Sequence, residues 1–214
     1  MNILRCIVHT FQLGIKSSLE AISPDSIERL RSTLSAIRSS KVRRAVFRKM
    51  SSVIHNQELE PPTLDCVTRW NSTYEMYMRA IKDRDVISLT TTGCNIASDF
   101  IGCTLSSEDW DHIRAIEKWL YVPAEVSTFM SGSQYPTLPL ASHAFKCLLN
   151  HCINYVDHSI SNSSTLIEKV LNGGSKRCLQ YLNKYERYIN SVPARIARFL
   201  DPRYALLAFI CILL

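Results

Sequence analysis

Apolar residues in this chain recur every three or four positions in one segment after another, and no convincing run alternates them with polar ones. A spacing near 3.6 places side chains on one face of a helix, whereas a half-buried strand needs a period of two. Residues 3–22 set the pattern: Leu4, Val8, Phe11, Ile15, Leu19 and Ile22 are separated by 4, 3, 4, 4 and 3 positions and stop at Ser23-Pro24. Glycine is scarce, 6 in 214 residues, which argues against a turn-rich β-sandwich. The spacing predicts a mainly α chain of seven or eight helices. No self-similar period supports a solenoid.

A second pattern begins after Pro24 with Ile27, Leu30, Leu34 and Ile37. It resumes, after a bend at Ser39-Ser40, through Val42, Val46, Met50 and Val53. Glu58-Leu-Glu-Pro-Pro62 breaks regular structure, because proline lacks a donor and restricts the residue before it. Ser72-Thr-Tyr-Glu75 fits a capping box, with Trp70, Tyr77 and Ile81 on one side of the helix it opens. Residues 90–105 read as a loop. Ser106 reads as an N-cap, with Leu105 and Trp110 as its hydrophobic staple. That helix is expected to end or kink at Pro123, leaving Val126, Phe129 and Met130 on a short helix of their own. Further helices are expected over 139–156, 165–171, 175–191 and 193–200, with Asn172-Gly-Gly174 as an interruption.

Hydrophobic residues at 46% and charged residues at 21% suit a globular chain with a core. The eight cysteines are irregularly spaced and form no disulfide framework, and no secretory leader opens the chain. A reducing intracellular compartment is the expectation. Tyr204 to Leu214 is an eleven-residue stretch without charge, short of the roughly 20 residues a spanning helix needs. It reads as a truncated core element rather than a membrane anchor.

The formal charge of +6 is concentrated in one place. Between Glu28 and Lys49 stand eight basic residues and a single acid, giving +7 and leaving the rest of the chain near −1. On a continuous helix Arg38, Lys41, Arg44 and Arg48 share an arc of about 120°, with Val42, Val46, Met50 and Val53 on another side. A basic side of that kind could lie along a phosphate backbone, or simply face solvent.

Residues with chemical potential are few. Cys6-Ile-Val-His9 puts a thiol and an imidazole on one helical side, and His143, Cys147 and His151 share another with Cys152 adjacent. A structural zinc site needs four ligands, and neither set has paired-knuckle spacing, so core packing is the expected role. Cys6 with His9 also resembles a nucleophile and base, but no third orienting group is assignable. Two-metal phosphoryl transfer needs converging carboxylates. Asp65, Asp109, Asp111 and Asp201 are the candidates, and none sits on a strand; Asp109 and Asp111 suit a helix first turn and Asp201 a turn or cap.

Four segments in order resemble the hAT superfamily of DNA transposases and their domesticated relatives. Arg5-Cys-Ile-Val-His-Thr-Phe-Gln-Leu13 is similar to the RCxxHxLNL helix, and Leu64-Asp-Cys-Val-Thr-Arg-Trp-Asn-Ser-Thr-Tyr74 to the TRWNSTY block. Phe129-Met-Ser-Gly-Ser-Gln-Tyr-Pro-Thr137 resembles the segment ending in yPT, and Leu200-Asp-Pro-Arg-Tyr204 the LDPRY near the end of the helical insertion. Gln12 and Gly14 depart from the first block.

The resemblance implies an all-α domain inserted into an RNase H-like sheet that carries three catalytic acids. Two of those acids precede the first block and the third follows LDPRY, so the expectation is a central portion with the catalytic sheet largely missing. The BED zinc finger and dimerisation region are not expected here either. Residues 1–57 then correspond to helices at the edge of the RNase H-like core, 58–204 to the insertion, and 205–214 to the apolar tail. By the same resemblance Cys6 and His9 lie beside the cleaved strand, Trp70 stacks on an extruded base, and Arg69 meets a nearby phosphate. A core-packing role for Trp70 and for His9 stands beside these.

The expected function is that of a hAT-type transposase remnant, DNA-contacting in ancestry and nuclear. Catalytic residues, resident metal and cofactor are expected to be none, with Mg or Mn implied only for an intact family member. The alternative is a helical protein-interaction module or homo-oligomer derived from the same insertion. An independent zinc- or cysteine-dependent enzyme is the least supported reading.

Overall fold

The computed structural model describes residues 7–22, 25–66, 69–93, 100–132, 135–158, 166–186 and 191–202. Among these residues the regular elements are α-helices and short 3-10 segments, with no strand. In chain order the helices are α1 (Ile7–Ala21), α2 (Asp25–Ser39), α3 (Lys41–His55), α4 (Trp70–Lys82), α5 (Arg84–Thr92), α6 (Ser107–Met130), α7 (Ala141–His158), α8 (Leu166–Asn183) and α9 (Val192–Leu200). A 3-10 turn at Leu138–Leu140 leads into α7. The mainly α expectation holds. Leu4, Cys6 and the tail 205–214 lie outside the described residues.

The chain divides into two compact units, one of residues 1–22 with 122–214 and the other of 23–121. In the first, α8 packs against α1 and α7. Phe11 and Ile15 of α1, Ala144, Leu148 and Cys152 of α7, and Cys178 and Leu182 of α8 are buried there. Phe11 and Phe145 stack with centroids 6.4 Å apart. Cys152 and Cys178 interact, and that hydrogen bond together with burial pushes the Cys152 thiol pKa well above its ordinary value.

Asn172-Gly-Gly174 does not interrupt this packing: α8 runs through it without a break. Glycine in a helix costs about 1 kcal/mol relative to alanine, and close approach of α1 offsets that cost. A Cβ on Gly174 would fall against Ile22 Cγ1 and 2.6 Å from Cδ1, and Ile22 is itself buried. Asn172 anchors the same turn by donating Nδ2–H to the Val156 carbonyl at 3.0 Å. Gly174→Val should therefore destabilise the chain by about 3 kcal/mol through overpacking. Thermal melting tests this, and a melting temperature at or above that of the parent chain would contradict it.

In the second unit α3 packs on α2 and α5, and α4 on α5. Ile27, Leu30, Leu34 and Ile37 of α2 are all buried, as their spacing predicts. So are Trp70, Met76 and Tyr77 of α4, and Trp110, Ile113, Trp119 and Leu120 of α6. Ser106 and Asp109 cap α6 reciprocally: Asp109 N–H meets Ser106 Oγ at 3.1 Å, and Ser106 N–H meets Asp109 Oδ2 at 2.9 Å.

Two sequence expectations need correction. Helix α6 neither ends at Pro123 nor restarts, because burial of Pro123, Ala124 and Met130 in the core compensates for the missing donor. Helix α4 begins at Trp70 rather than after Ser72, and its N-cap Arg69 has no side-chain cap bond. Ser72 instead reaches back, its Oγ accepting the Cys66 N–H at 2.8 Å and lying 2.6 Å from the Arg69 carbonyl.

Candidate nucleic-acid interface

The basic stretch occupies two helices. Ser40 between them is extended, with φ −122° and ψ 134°. The arc expected of one continuous helix therefore ends at the junction, and Arg38 leaves it. Arg38 donates Nη1–H to the Pro61 carbonyl at 2.8 Å and holds the 58–62 segment against α2.

Helix α3 buries Phe47 and Ser51. Ser51 Oγ accepts the Leu59 N–H at 2.8 Å, and Asn56 in the left-handed conformation (φ 54°) ends the helix. The side expected from Val42, Val46, Met50 and Val53 is corrected by this: Val42 is 63% and Val53 70% exposed. Phe47, the bulkier side chain, sets the inward direction. Counted from Phe47 at about 100° per residue, Lys41, Arg44 and Arg48 lie together on one flank. Arg43 falls near the buried side.

Three of the eight basic residues are neutralised locally. Arg29 chelates Asp109 with Nε at 2.8 Å and Nη2 at 2.5 Å. Arg31 binds both Asp65 oxygens, at 2.8 and 2.6 Å, and also reaches Glu28 at 2.6 Å. Arg48 pairs with Glu60. Arg38, Lys41, Arg43, Arg44 and Lys49 have no acidic partner among the described residues.

Asp65 is the organising acid of this unit. Its side chain is 1% exposed, and Thr73 Oγ1 donates to Oδ2 at 2.7 Å. Burial alone would raise its pKa, but hydrogen bonds from Arg31 and Thr73 and the Arg31 charge hold it below the ordinary carboxylate range. Asp109 behaves alike: burial raises it, and Arg29 with the Ser106 bonds brings it below normal. Nothing local in the sequence marks the Arg31–Asp65 and Arg29–Asp109 pairs, whose partners lie 34 and 80 residues apart.

Trp70 opens α4 but is only 3% exposed. Stacking on an extruded base requires an open indole face, and none is open; its place in the core is what the geometry supports. Arg69 beside it is exposed and makes no ion pair among the described residues. His9 is exposed on α1, in the other compact unit, and Cys6 lies outside the described residues. His143 is exposed, His151 packs edge-on to Tyr155 at 5.1 Å, and Cys152 is buried. Among the described residues no three His, Cys, Asp or Glu side chains form a metal-ligating group.

An all-helical arrangement that carries a TRWNSTY-like block into α4 and an LDPRY-like end to α9 defines the helical domain of a transposase-type protein. The ZBED1 RNase-like helical domain model matches residues 4–119, and the chain belongs to that hAT-related family. It is 26% identical over 203 residues to the "Putative AC transposase" of Zea mays, covering 94% of this chain and 23% of the relative. Two proteins of Oryza sativa subsp. japonica, zinc finger BED domain-containing proteins RICESLEEPER 2 and RICESLEEPER 1, are each 24% identical over 203 residues. In both, 94% of this chain aligns with 26% of the relative. The chain thus spans about a quarter of the length of these relatives. No solved structure is a match. The protein is transposase-derived, and no described helix is long and apolar enough to cross a membrane.

Proposed function

We propose that this chain is a portion of a hAT-type transposase-derived protein that contacts DNA through its phosphate backbone, acts in the nucleus, and does not cut DNA by itself. The observation that carries the reading is the cationic surplus of 38–49, which persists after every local ion pair has formed. Lys41 and Arg44 lead the contact from one flank of α3. Arg48 joins it at the expense of Glu60, and Arg38 is already engaged by Pro61. Arg69 adds a phosphate contact at the start of α4, and His9 and Cys6 keep the strand-side position that the resemblance implies.

Lack of cutting is supported by the state of the acids. Asp65 and Asp109 spend their carboxylates on guanidinium groups and caps, and Asp201 is buried at the end of α9. A metal would have to displace those partners before it was positioned for in-line attack.

Reversing Lys41 and Arg44 to Glu should weaken binding to every duplex at least tenfold and flatten the salt dependence by about two phosphate contacts. Titrations at several salt concentrations measure both, and unchanged affinity in the double variant would sink the proposal. The parent chain with Mg²⁺ should leave the same duplexes uncut; nicking abolished by Asp65→Asn would overturn the non-catalytic part.

A protein-interaction reading has one observation of its own. Val192, Ile196, Phe199 and Leu200 form an exposed stripe on α9, with Phe199 87% exposed. A second copy of the chain is the occupant tested: Ile196→Asp with Phe199→Asp should abolish concentration-dependent association in sedimentation velocity. A parent chain that sediments as a monomer at all concentrations removes this reading.

A further inference from the structure

The second compact unit contains an open groove of about 630 Å³, lined by Arg31, Ser32, Ser35, Ala36, Ser39, Arg43, Leu64 and Asp65. Its polar groups divide into two kinds. Arg31 and Asp65 are spent on each other, with Glu28 and Thr73 completing their bonds. Ser39 is also satisfied, its Oγ donating to the Ala36 carbonyl at 3.0 Å. Ser32 and Ser35 are exposed and their hydroxyls make no hydrogen bond among the described residues. Arg43 donates Nη2–H to Ser39 Oγ at 3.2 Å and has no carboxylate partner, while its guanidinium lies 5.8 Å from the Phe100 ring centroid.

Ser32, Ser35 and Ser39 follow one another at helical spacing along the outer side of α2, and the Ser40 break brings Arg43 of α3 to the end of that row. The groove therefore presents hydroxyls and one fixed, uncompensated guanidinium, with its only carboxylate already neutralised. That donor set suits a tetrahedral oxyanion, because a planar guanidinium and hydroxyls can donate to several of its oxygens at once.

We infer that this groove is a phosphate-binding site, in which Arg43 supplies the charge and Ser32 and Ser35 the further hydrogen bonds. It is separate from the Lys41–Arg44 flank. The phosphate comes from a nucleic-acid backbone or from free phosphate and pyrophosphate, and only the first source rests on the DNA reading above.

Amide and guanidinium resonances followed by NMR at constant ionic strength test it, with sodium pyrophosphate in one titration and a short single-stranded oligonucleotide in another. The expected result is saturable shifts at Ser32, Ser35, Ser39 and Arg43. Arg43→Gln should weaken that response about tenfold and Arg43→Lys less, because the ammonium keeps the charge but loses the fork. Ser35→Ala, an exposed change that leaves the helix intact, should weaken it two- to fivefold. Response to both titrants identifies a general phosphate site, and response to the oligonucleotide alone identifies the backbone as the source. No groove shift with either titrant overturns the inference, as does an equal response in Arg43→Gln. The pyrophosphate titration involves no DNA, so its outcome separates failure of this site from failure of the DNA-binding flank.

Discussion

Trp70→Ala should destabilise the protein by about 3–5 kcal/mol, the usual loss for emptying the site of a buried indole. Trp70 is 3% exposed and shares the core of its unit with Met76 and Tyr77, so the truncation leaves a cavity rather than a freed surface. Denaturant unfolding measures the loss directly. Any accompanying fall in DNA affinity should then be the same for intact duplex and for DNA with an extruded base, because it reflects loss of folded protein. A variant that keeps its melting temperature and loses only the extruded-base complex would restore the stacking role implied by the family block.

The other large effect is expected at Asp65. Asp65→Asn removes the buried partner of Arg31 and should cost about 2 kcal/mol near neutral pH, since the charge-assisted bonds at Asp65 are lost while Arg31 keeps only the exposed Glu28. The pH dependence has a definite sign. Asp65 and Asp109 both have folded pKa values below their unfolded ones, so the folded state binds fewer protons than the unfolded state as the pH falls below about 4. Their stabilisation is fully present above that pH and is lost as acidification passes through the folded values. Asp65→Asn should flatten this acid limb in urea titrations at successive pH values. A limb as steep as that of the parent would show that Asp65 contributes nothing to it.

Charge pairing reduces the cationic surplus that this chain can offer a partner. The stretch from Glu28 to Lys49 carries +7 by composition, yet Asp109, Asp65 and Glu60 each claim one of its cations from outside it. The surplus that remains is smaller and lies mostly on α3. Arg43, an undistinguished member of a basic run in the sequence, becomes a guanidinium without a carboxylate partner beside the groove that Ser32 and Ser35 line.

The helices themselves were legible because amphipathic spacing is a local property. Ile27, Leu30, Leu34 and Ile37 point inward as their intervals require, and Ser106 with Asp109 caps α6 through atoms three residues apart. Family membership was legible for a related reason, since short ordered blocks survive at low overall identity. What the residues could not show alone is how far helices persist and which way they turn. Pro123 and Gly173–Gly174 are breakers by intrinsic preference, worth about 3 and 1 kcal/mol, and both sit inside continuous helices. Tertiary packing outweighs such preferences, at Gly174 because only a residue without Cβ admits Ile22. A single continuous axis would place Arg38 on the basic face, and the extended Ser40 ends that axis. The family block implies base stacking for Trp70, but an indole suits either a base or a core, and only its surroundings decide between them. Periodicity reports the order of side chains around a helix; the partners they meet depend on contacts between segments far apart in the chain, which local spacing does not encode.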